Sequence, residues 1–394
     1  MAPPQPSQQQ ELYQLPRAAV GALAAPALRL ELHCITFSHY CTRARWALAS
    51  AGLPYDEVGY LPLAHMPGIV RLLRRFKAAP GASTASSKSP ASTPVLAVYA
   101  ADGAPLFLLQ NSALIARWAA LRAAALGAPP AALLYGPGLG VAEAAREQPG
   151  GGGGGRAGDA GGGGGGGGGG RMAVVGSGQY YESVADLELR LSNGIGLEAR
   201  RIIYYHLLPC TALAGRMFYE NTRGGGALAR ALAWPVYFLC RAALPRLLKI
   251  DARAAARGRE LLLAEFEFFG ALLERREREA AAAGAGAAGA GAAAAGAAAA
   301  LPYYLCGPQL SAADVSLATL AGHLLALPPA HACGRYWVPA NGDMPPAMQE
   351  LAAELAGTRA GAFARQLWEV HGPALMAGAE AAGSFGTSAG NSRL

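Results

Sequence analysis

The sequence predicts an α/β N-terminal domain followed by an all-helical C-terminal domain, and three observations carry that prediction. Leu28 to Ile35 (LRLELHCI) alternates apolar and polar residues, the pattern of a half-buried strand. Between residues 28 and 122 the apolar period switches repeatedly between about 2 and about 3.6, in the order β-α-β-α-β-β-α. From Val184 onward the helical period alone recurs.

The elements follow in chain order. Residues 1–27 read as a disordered lead. After the strand at 28–35, Thr36 to Ser38 turns into a helix of about 12 residues, with Tyr40, Ala44, Ala47, Leu48 and Ala51 on one face. Gly52 is placed to stop that helix. Tyr55 to Val58 is a second strand, and Ala64 to Lys77 a second helix with arginines along one side. Residues 78–92, rich in Ala, Gly and Ser, read as a loop. Pro94 to Tyr99 and Leu106 to Leu109 form a hairpin around Ala101-Asp102-Gly103. Ser112 to Arg122 is a third helix and closes the first domain, 28–122. A linker spans 123–177 and contains a nearly pure glycine block from Gly150 to Gly170, which cannot bury enough surface to order itself. The second domain, 178–372, holds helices over Ala185–Tyr205, Ala227–Leu248, Ala252–Ala280, Ser311–Leu327 and Pro346–Val370. An Ala/Gly insertion at 280–300 interrupts it, and 373–394 reads as a disordered tail.

Bulk composition narrows the function classes. The chain has 394 residues and a net charge of +7, with Lys+Arg 33 against Asp+Glu 26. The one local basic cluster is Arg71, Arg74, Arg75 and Lys77; no basic stripe interleaved with aromatics marks a nucleic-acid interface. Six cysteines lack any CxxC or zinc spacing, which fits reduced thiols and no metal centre. The first 26 residues have no basic region followed by an apolar core, so a secretory signal is not expected. The expected location is the cytoplasm, with an organelle as the alternative. Leu228 to Ile250 is the one membrane candidate. Arg230, Arg241, Arg246, Pro235 and Pro245 interrupt it and favour a core or partner-facing helix over a span, with peripheral membrane contact left open.

Residue types at element ends suggest where chemistry sits. Ser38 stands at a strand-to-helix junction, where its oxygen is expected to cap the N–H of Tyr40 or Cys41. A helix N-terminus also favours an anion held against it. Cys41, in the first turn, is read either as a core residue or as a thiol whose pKa the helix terminus lowers. His39 is expected to be exposed. Pro94 opens a strand after Thr93, and Ser112 is placed to cap the third helix. Ser311 and Asp314 form a capping box and are structural. His65 is read as setting local structure, and the aromatics Tyr180, Tyr181, Tyr204, Tyr205, Phe218 and Tyr219 as mostly core.

Three segments together resemble the glutathione S-transferase family: FSHYCTRARWALASAGLPYDEV (37–58), STPVL (92–96) with LLQNSALIARWA (108–119), and YLCGPQLSAADVSLATL (304–320). LPLAH (61–65), ARRIIYYHLLP (199–209) and RAGAFARQLWEVH (359–371) narrow the likeness to a bacterial-type subgroup with a Ser-His-Tyr-Cys start. The resemblance implies a thioredoxin-like N-terminal domain, an all-α C-terminal domain and glutathione as co-substrate. It implies that Ser38, or Cys41, activates the sulfur, and that Thr93 before a cis Pro94 pairs with the cysteinyl portion. Gln110, Asn111 and Ser112 would grip the γ-glutamyl end, with Asn111 standing where the family has an acid. Arg71, Arg74 or Lys77 would meet the glycyl carboxylate. The implied partners are glutathione, an apolar electrophilic small molecule and, as an open option, a second copy of the chain. The implied activity is conjugation. A non-catalytic binding protein and a glutathione-dependent thiol-disulfide reductase are the alternatives.

Overall fold

A computed structural model of the chain describes residues 15–85, 91–127, 134–135, 174–175, 178–179, 184–222, 226–286, 301, 303–325 and 337–381. The glycine block and most of both insertions lie outside these residues, as do residues 1–14.

The N-terminal domain is a five-stranded mixed sheet with helices on both faces. Its elements are α1 (Arg17–Gly21), β1 (Leu28–Ile35), α2 (His39–Ser50), β2 (Asp56–Tyr60), α3 (His65–Ala78), β3 (Ser83–Ala85), β4 (Val95–Ala100), β5 (Pro105–Gln110) and α4 (Ser112–Ala125). The strand order is β2-β1-β4-β5-β3; β1 runs parallel to β2 and antiparallel to β4, and β5 antiparallel to β4 and parallel to β3. The central strand shows why its sequence is apolar throughout. Leu96 and Val98 of β4 face a core shared with α2 and α4, while Val95, Ala97 and Tyr99 face Ile69, Leu72, Leu73 and Phe76 of α3. A strand covered on both sides has no polar face to display. At its end α2 turns on Gly52, whose φ of +64° is the left-handed conformation a side chain disfavours.

Two expectations for this domain need correction. The lead is ordered from residue 15 inward: α1 buries Ala19, Ala22 and Leu23, and Arg122 donates to the carbonyls of Ala22, Leu23 and Ala25 at 2.9 to 3.0 Å. Backbone carbonyls satisfied by a buried guanidinium make an irregular segment part of the core. The Ala/Ser loop is also not wholly a loop, because Ser83–Ala85 add β3 beside β5. Three residues are too short a run for periodicity to register.

The C-terminal domain is helical: α5 (Val184–Leu191), a wide turn of π-helix (Ser192–Gly196), α6 (Leu197–Leu207), α7 (Thr211–Glu220), α8 (Gly226–Leu247), α9 (Ala252–Gly286), α10 (Ala312–Gly322), α11 (Pro346–Gly357) and α12 (Arg359–Ala381). Helix α7 was not expected. The helix expected over 346–370 is two, broken at Thr358, whose backbone is extended. Helix α12 continues to Ala381, into what had read as tail. Capping at α10 follows expectation, with Asp314 accepting from the N–H groups of Ser311 and Leu305 at 2.8 Å.

The two domains share a core. Trp46 and Ala47 of α2 and Ala116 and Ala120 of α4 pack into the helical cluster built on Leu262, Phe266, Leu317 and Trp368. A second joint cluster sets Phe37 and Leu61 against α6, α7 and α8.

Candidate functional site

Between the sheet and the helical domain lies a cavity of about 500 Å³. One wall is the β1–α2 junction (Phe37, Ser38, His39) and the segment 91–93; the other is α6, α8 and the end of α10. The junction forms because β1 ends on Ile35, whose carbonyl accepts from Ser38 N–H at 3.0 Å, and α2 starts at once. The N-terminus of α2 thus opens at the wall of the cavity.

Ser38 sits at the N-cap with extended backbone (φ −83°, ψ 127°) and lines the cavity, but its side chain makes no capping hydrogen bond. The expected cap is thus not formed, and the hydroxyl lies beside Cys41 instead. Thr42 N–H completes the first turn by donating to Ser38 carbonyl oxygen at 2.9 Å. Cys41 is fully buried and belongs to the sheet core, with Cys34 as its hydrogen-bonding neighbour. Burial opposes its ionisation, yet hydrogen bonding from Cys34 and Ser38 and the charge of Arg45 hold Cys41 below the usual thiol range. Burial pushes Cys34 well above it. Neither sulfur lines the cavity.

His39 is buried rather than exposed. Its Nε2–H donates to Gly196 carbonyl oxygen at 3.1 Å, and its ring meets His323 edge-on at 6.0 Å. Burial, followed by the charges of His323 and Arg200, holds its pKa well down, so it is neutral at neutral pH. Burial likewise lowers His323 to about 4. Tyr40 donates to Ser192 carbonyl oxygen at 2.9 Å. A Cβ at Gly196 would stand 2.6 Å from the Tyr40 hydroxyl, so the close approach of α2 to the wide turn requires glycine there.

The Thr93–Pro94 bond is cis, and Ser92 and Thr93 line the cavity. Gln110 is buried behind them and donates from Nε2 to Ser92 carbonyl oxygen at 2.8 Å, fixing the segment that leads into β4.

Asn111, Ser112 and the α3 arginines do not join this group. Asn111, not Ser112, caps α4, its Oδ1 accepting from Ala113 N–H at 2.8 Å. Ser112 is buried, and its Oγ accepts from Arg43 Nε at 3.0 Å and Nη2 at 2.5 Å. Neither residue lines the cavity, and Arg71 and Arg74 are exposed on α3 outside it. The period of α3 explains this: Ile69, Leu72, Leu73 and Phe76 take the buried face, leaving the arginines to solvent.

Two arginines that the sequence did not single out lie closer to the cavity or to the domain junction. Arg43 is 2% exposed and bridges the domains, donating from Nη1 to Ser192 Oγ at 2.9 Å and Ser316 Oγ at 3.1 Å besides its bonds to Ser112. Burial raises the pKa of Glu188, against the opposing effect of Arg43, and Tyr135 donates to that carboxylate at 2.5 Å. Arg200 lines the cavity from α6 and has no hydrogen bond or carboxylate partner among the described residues; its Nε is buried. A guanidinium at the wall of a largely apolar cavity, with no anion beside it among the described residues, is equipped to receive an anionic group of a ligand. The sequence signal for Arg43 was its place in the α2 motif. For Arg200 there was none beyond ARRIIYYHLLP.

Among the described residues no group of three His, Cys, Asp or Glu side chains is arranged to hold a metal ion. Compared with known proteins, the chain matches no family model, and no curated protein is significantly similar to it in sequence.

Proposed function

We propose that the protein is a glutathione-dependent transferase with the glutathione S-transferase fold, adding the glutathione sulfur to an apolar electrophile in the cavity between its domains. The single observation that carries this reading is the convergence on that cavity of Ser38 at the start of α2, the segment ending in the cis Thr93–Pro94 bond, and Arg200, which has no carboxylate partner among the described residues. Glutathione is a peptide-like anion with two carboxylates and a thiol. The edge formed by Ser92 and Thr93 suits its backbone, Arg200 suits one carboxylate, and the α2 N-terminus suits the thiolate.

The chemistry asked of the chain is modest. The thiol proton leaves to solvent, the helix terminus and a hydrogen bond from Ser38 Oγ, rotated away from Cys41, stabilise the resulting thiolate, and its sulfur attacks an electrophilic carbon. With an aryl halide the new C–S bond replaces the carbon–halogen bond and halide departs. The apolar wall from Ile203, Tyr204, Leu207 and Met217 holds the acceptor and keeps water back.

A non-catalytic binding role has one specific observation in its favour. The side-chain oxygen of Asn111 caps α4 and the hydroxyl of Ser112 accepts from Arg43, so the expected γ-glutamyl grip is weakened. The reductase reading loses ground, because Cys41 is fully buried. Retention on immobilised glutathione, followed by turnover of an aryl halide and of a mixed disulfide on one preparation, tests all three. Retention with aryl-halide turnover supports conjugation, and retention without turnover supports the binding role. Failure to retain glutathione overturns the proposal.

A further inference from the structure

Helix α8 is built unlike the other helices of its domain. Ala233, Tyr237, Cys240 and Leu244, one stripe at helical spacing, are buried against Phe37, Leu61, Leu207 and Phe218. The opposite side is apolar as well: Leu228, Leu232, Phe238 and Leu239 are exposed, with Phe238 at 52% and Leu239 at 55%. Within the helix's most apolar stretch 22% is buried, and by length and composition it could cross a bilayer. The sequence between Glu220 and Asp251 contains no acidic residue, whereas Arg230, Arg241, Arg246 and Lys249 are all exposed.

We infer that α8 lies flat on an anionic lipid surface, inserting its outward apolar row while the arginines and Lys249 meet the headgroups. An apolar row flanked by cations, with Trp234 39% exposed beside it, is the composition of an interfacial helix. Spanning is disfavoured because the helix is bound along its length to the body of the protein: Tyr237 hydroxyl donates to Leu208 carbonyl oxygen at 2.9 Å and Arg241 to Thr211 Oγ1 at 2.5 Å. A second copy is a poorer occupant. Two-fold pairing through α8 would bring cations together, and this stretch supplies no carboxylate to either side. An anionic leaflet supplies the missing charge, and each basic residue near it gains roughly fivefold in partitioning. The surface also adjoins the cavity, because Leu244, Leu247 and Leu248 line it. Docking would set the cavity beside lipid, a source of apolar molecules.

The test uses the full chain without glutathione, so its outcome is independent of the transferase reading. Co-sedimentation is measured on vesicles of phosphatidylglycerol and phosphatidylcholine in equal parts, and on pure phosphatidylcholine, at low and high salt. The chain should pellet with the anionic vesicles, lose most of that binding in high salt, and be released by alkaline carbonate. Leu239→Glu with Phe238→Glu should lower partitioning at least tenfold with unchanged circular dichroism. Combined Arg230→Gln, Arg241→Gln and Arg246→Gln should remove the preference for anionic lipid, on the order of 100-fold for three cations. Absence of wild-type binding overturns the inference. So does retention in carbonate, which would mean a span, or a dimer that Leu239→Glu dissolves in a protein that ignores vesicles.

Discussion

Replacing Arg43 with methionine removes the principal polar tie between the two domains. The guanidinium makes four hydrogen bonds, at 2.5 to 3.1 Å, to the hydroxyls of Ser112, Ser192 and Ser316. A hydrogen bond from a charged donor contributes about 1.5–3 kcal/mol, but the released hydroxyls can rotate to other acceptors, so the net loss should be about 3 kcal/mol. A chain of 394 residues then loses about 4–5 °C in Tm. The loss should depend on pH. Burial already raises the pKa of Glu188, and Arg43 is the strongest influence holding it down. Without Arg43 that carboxyl holds its proton to higher pH in the folded state than in the unfolded chain. Stability then falls as pH climbs from the ordinary glutamate range through the raised folded value, so the deficit should be larger at about pH 8 than at about pH 5. Urea unfolding followed by tryptophan fluorescence at both pH values measures it. A deficit under about 1 kcal/mol, or one that shrinks as pH rises, would refute the assignment of Arg43 as the cation that stabilises this buried carboxyl.

Further outcomes follow from the site. Ser38→Ala should leave glutathione affinity nearly unchanged and raise the pKa of the bound thiol, read from thiolate absorbance, whereas Cys41→Ser should change turnover little; the reverse pattern would return the chemistry to the cysteine. Arg200→Gln should weaken glutathione binding about tenfold by calorimetry, a loss of about 1.4 kcal/mol, while Arg71→Gln with Arg74→Gln does not; equal effects would move the carboxylate site to α3. Gly196→Ala should cost about 1–3 kcal/mol, because the new methyl meets the Tyr40 hydroxyl. Tyr40→Phe in the same chain should recover part of that cost, and a thermal melt without recovery would place the clash elsewhere.

The nearest-neighbour features of this protein were legible from its residues. The strand at Leu28–Ile35, the helix after Ser38, the Gly52 stop, the hairpin around Asp102 and the Ser311–Asp314 cap each depend on side chains within about one helical turn or one strand repeat. Such signals survive in a linear reading because the groups that create them are adjacent in the chain. Short or irregular pieces escaped it: β3 and α1 are held by partners elsewhere, α1 by Trp118 and Arg122 of α4.

The candidate site was legible in part, and the boundary has a physical cause. Ser38 and Thr93–Pro94 stand at element ends with a chemistry of their own, and Ser38 and Thr93 line the cavity. Ser112 and His39 are placed by groups far along the chain, whereas Asn111 caps Ala113 two residues on and the α3 arginines follow the period of their own helix. Ser112 accepts from Arg43, 69 residues away, and Arg43 reaches Ser316, 273 residues away. His39 is buried and donates to a carbonyl 157 residues along the chain. Arg200 became the cation of the cavity because α6 turns it toward α2, while α3 turns Arg71 and Arg74 to solvent. The sequence by itself determined the elements and the junction at which α2 begins; the packing of one domain on the other decided which polar groups are consumed by structure and which face the cavity.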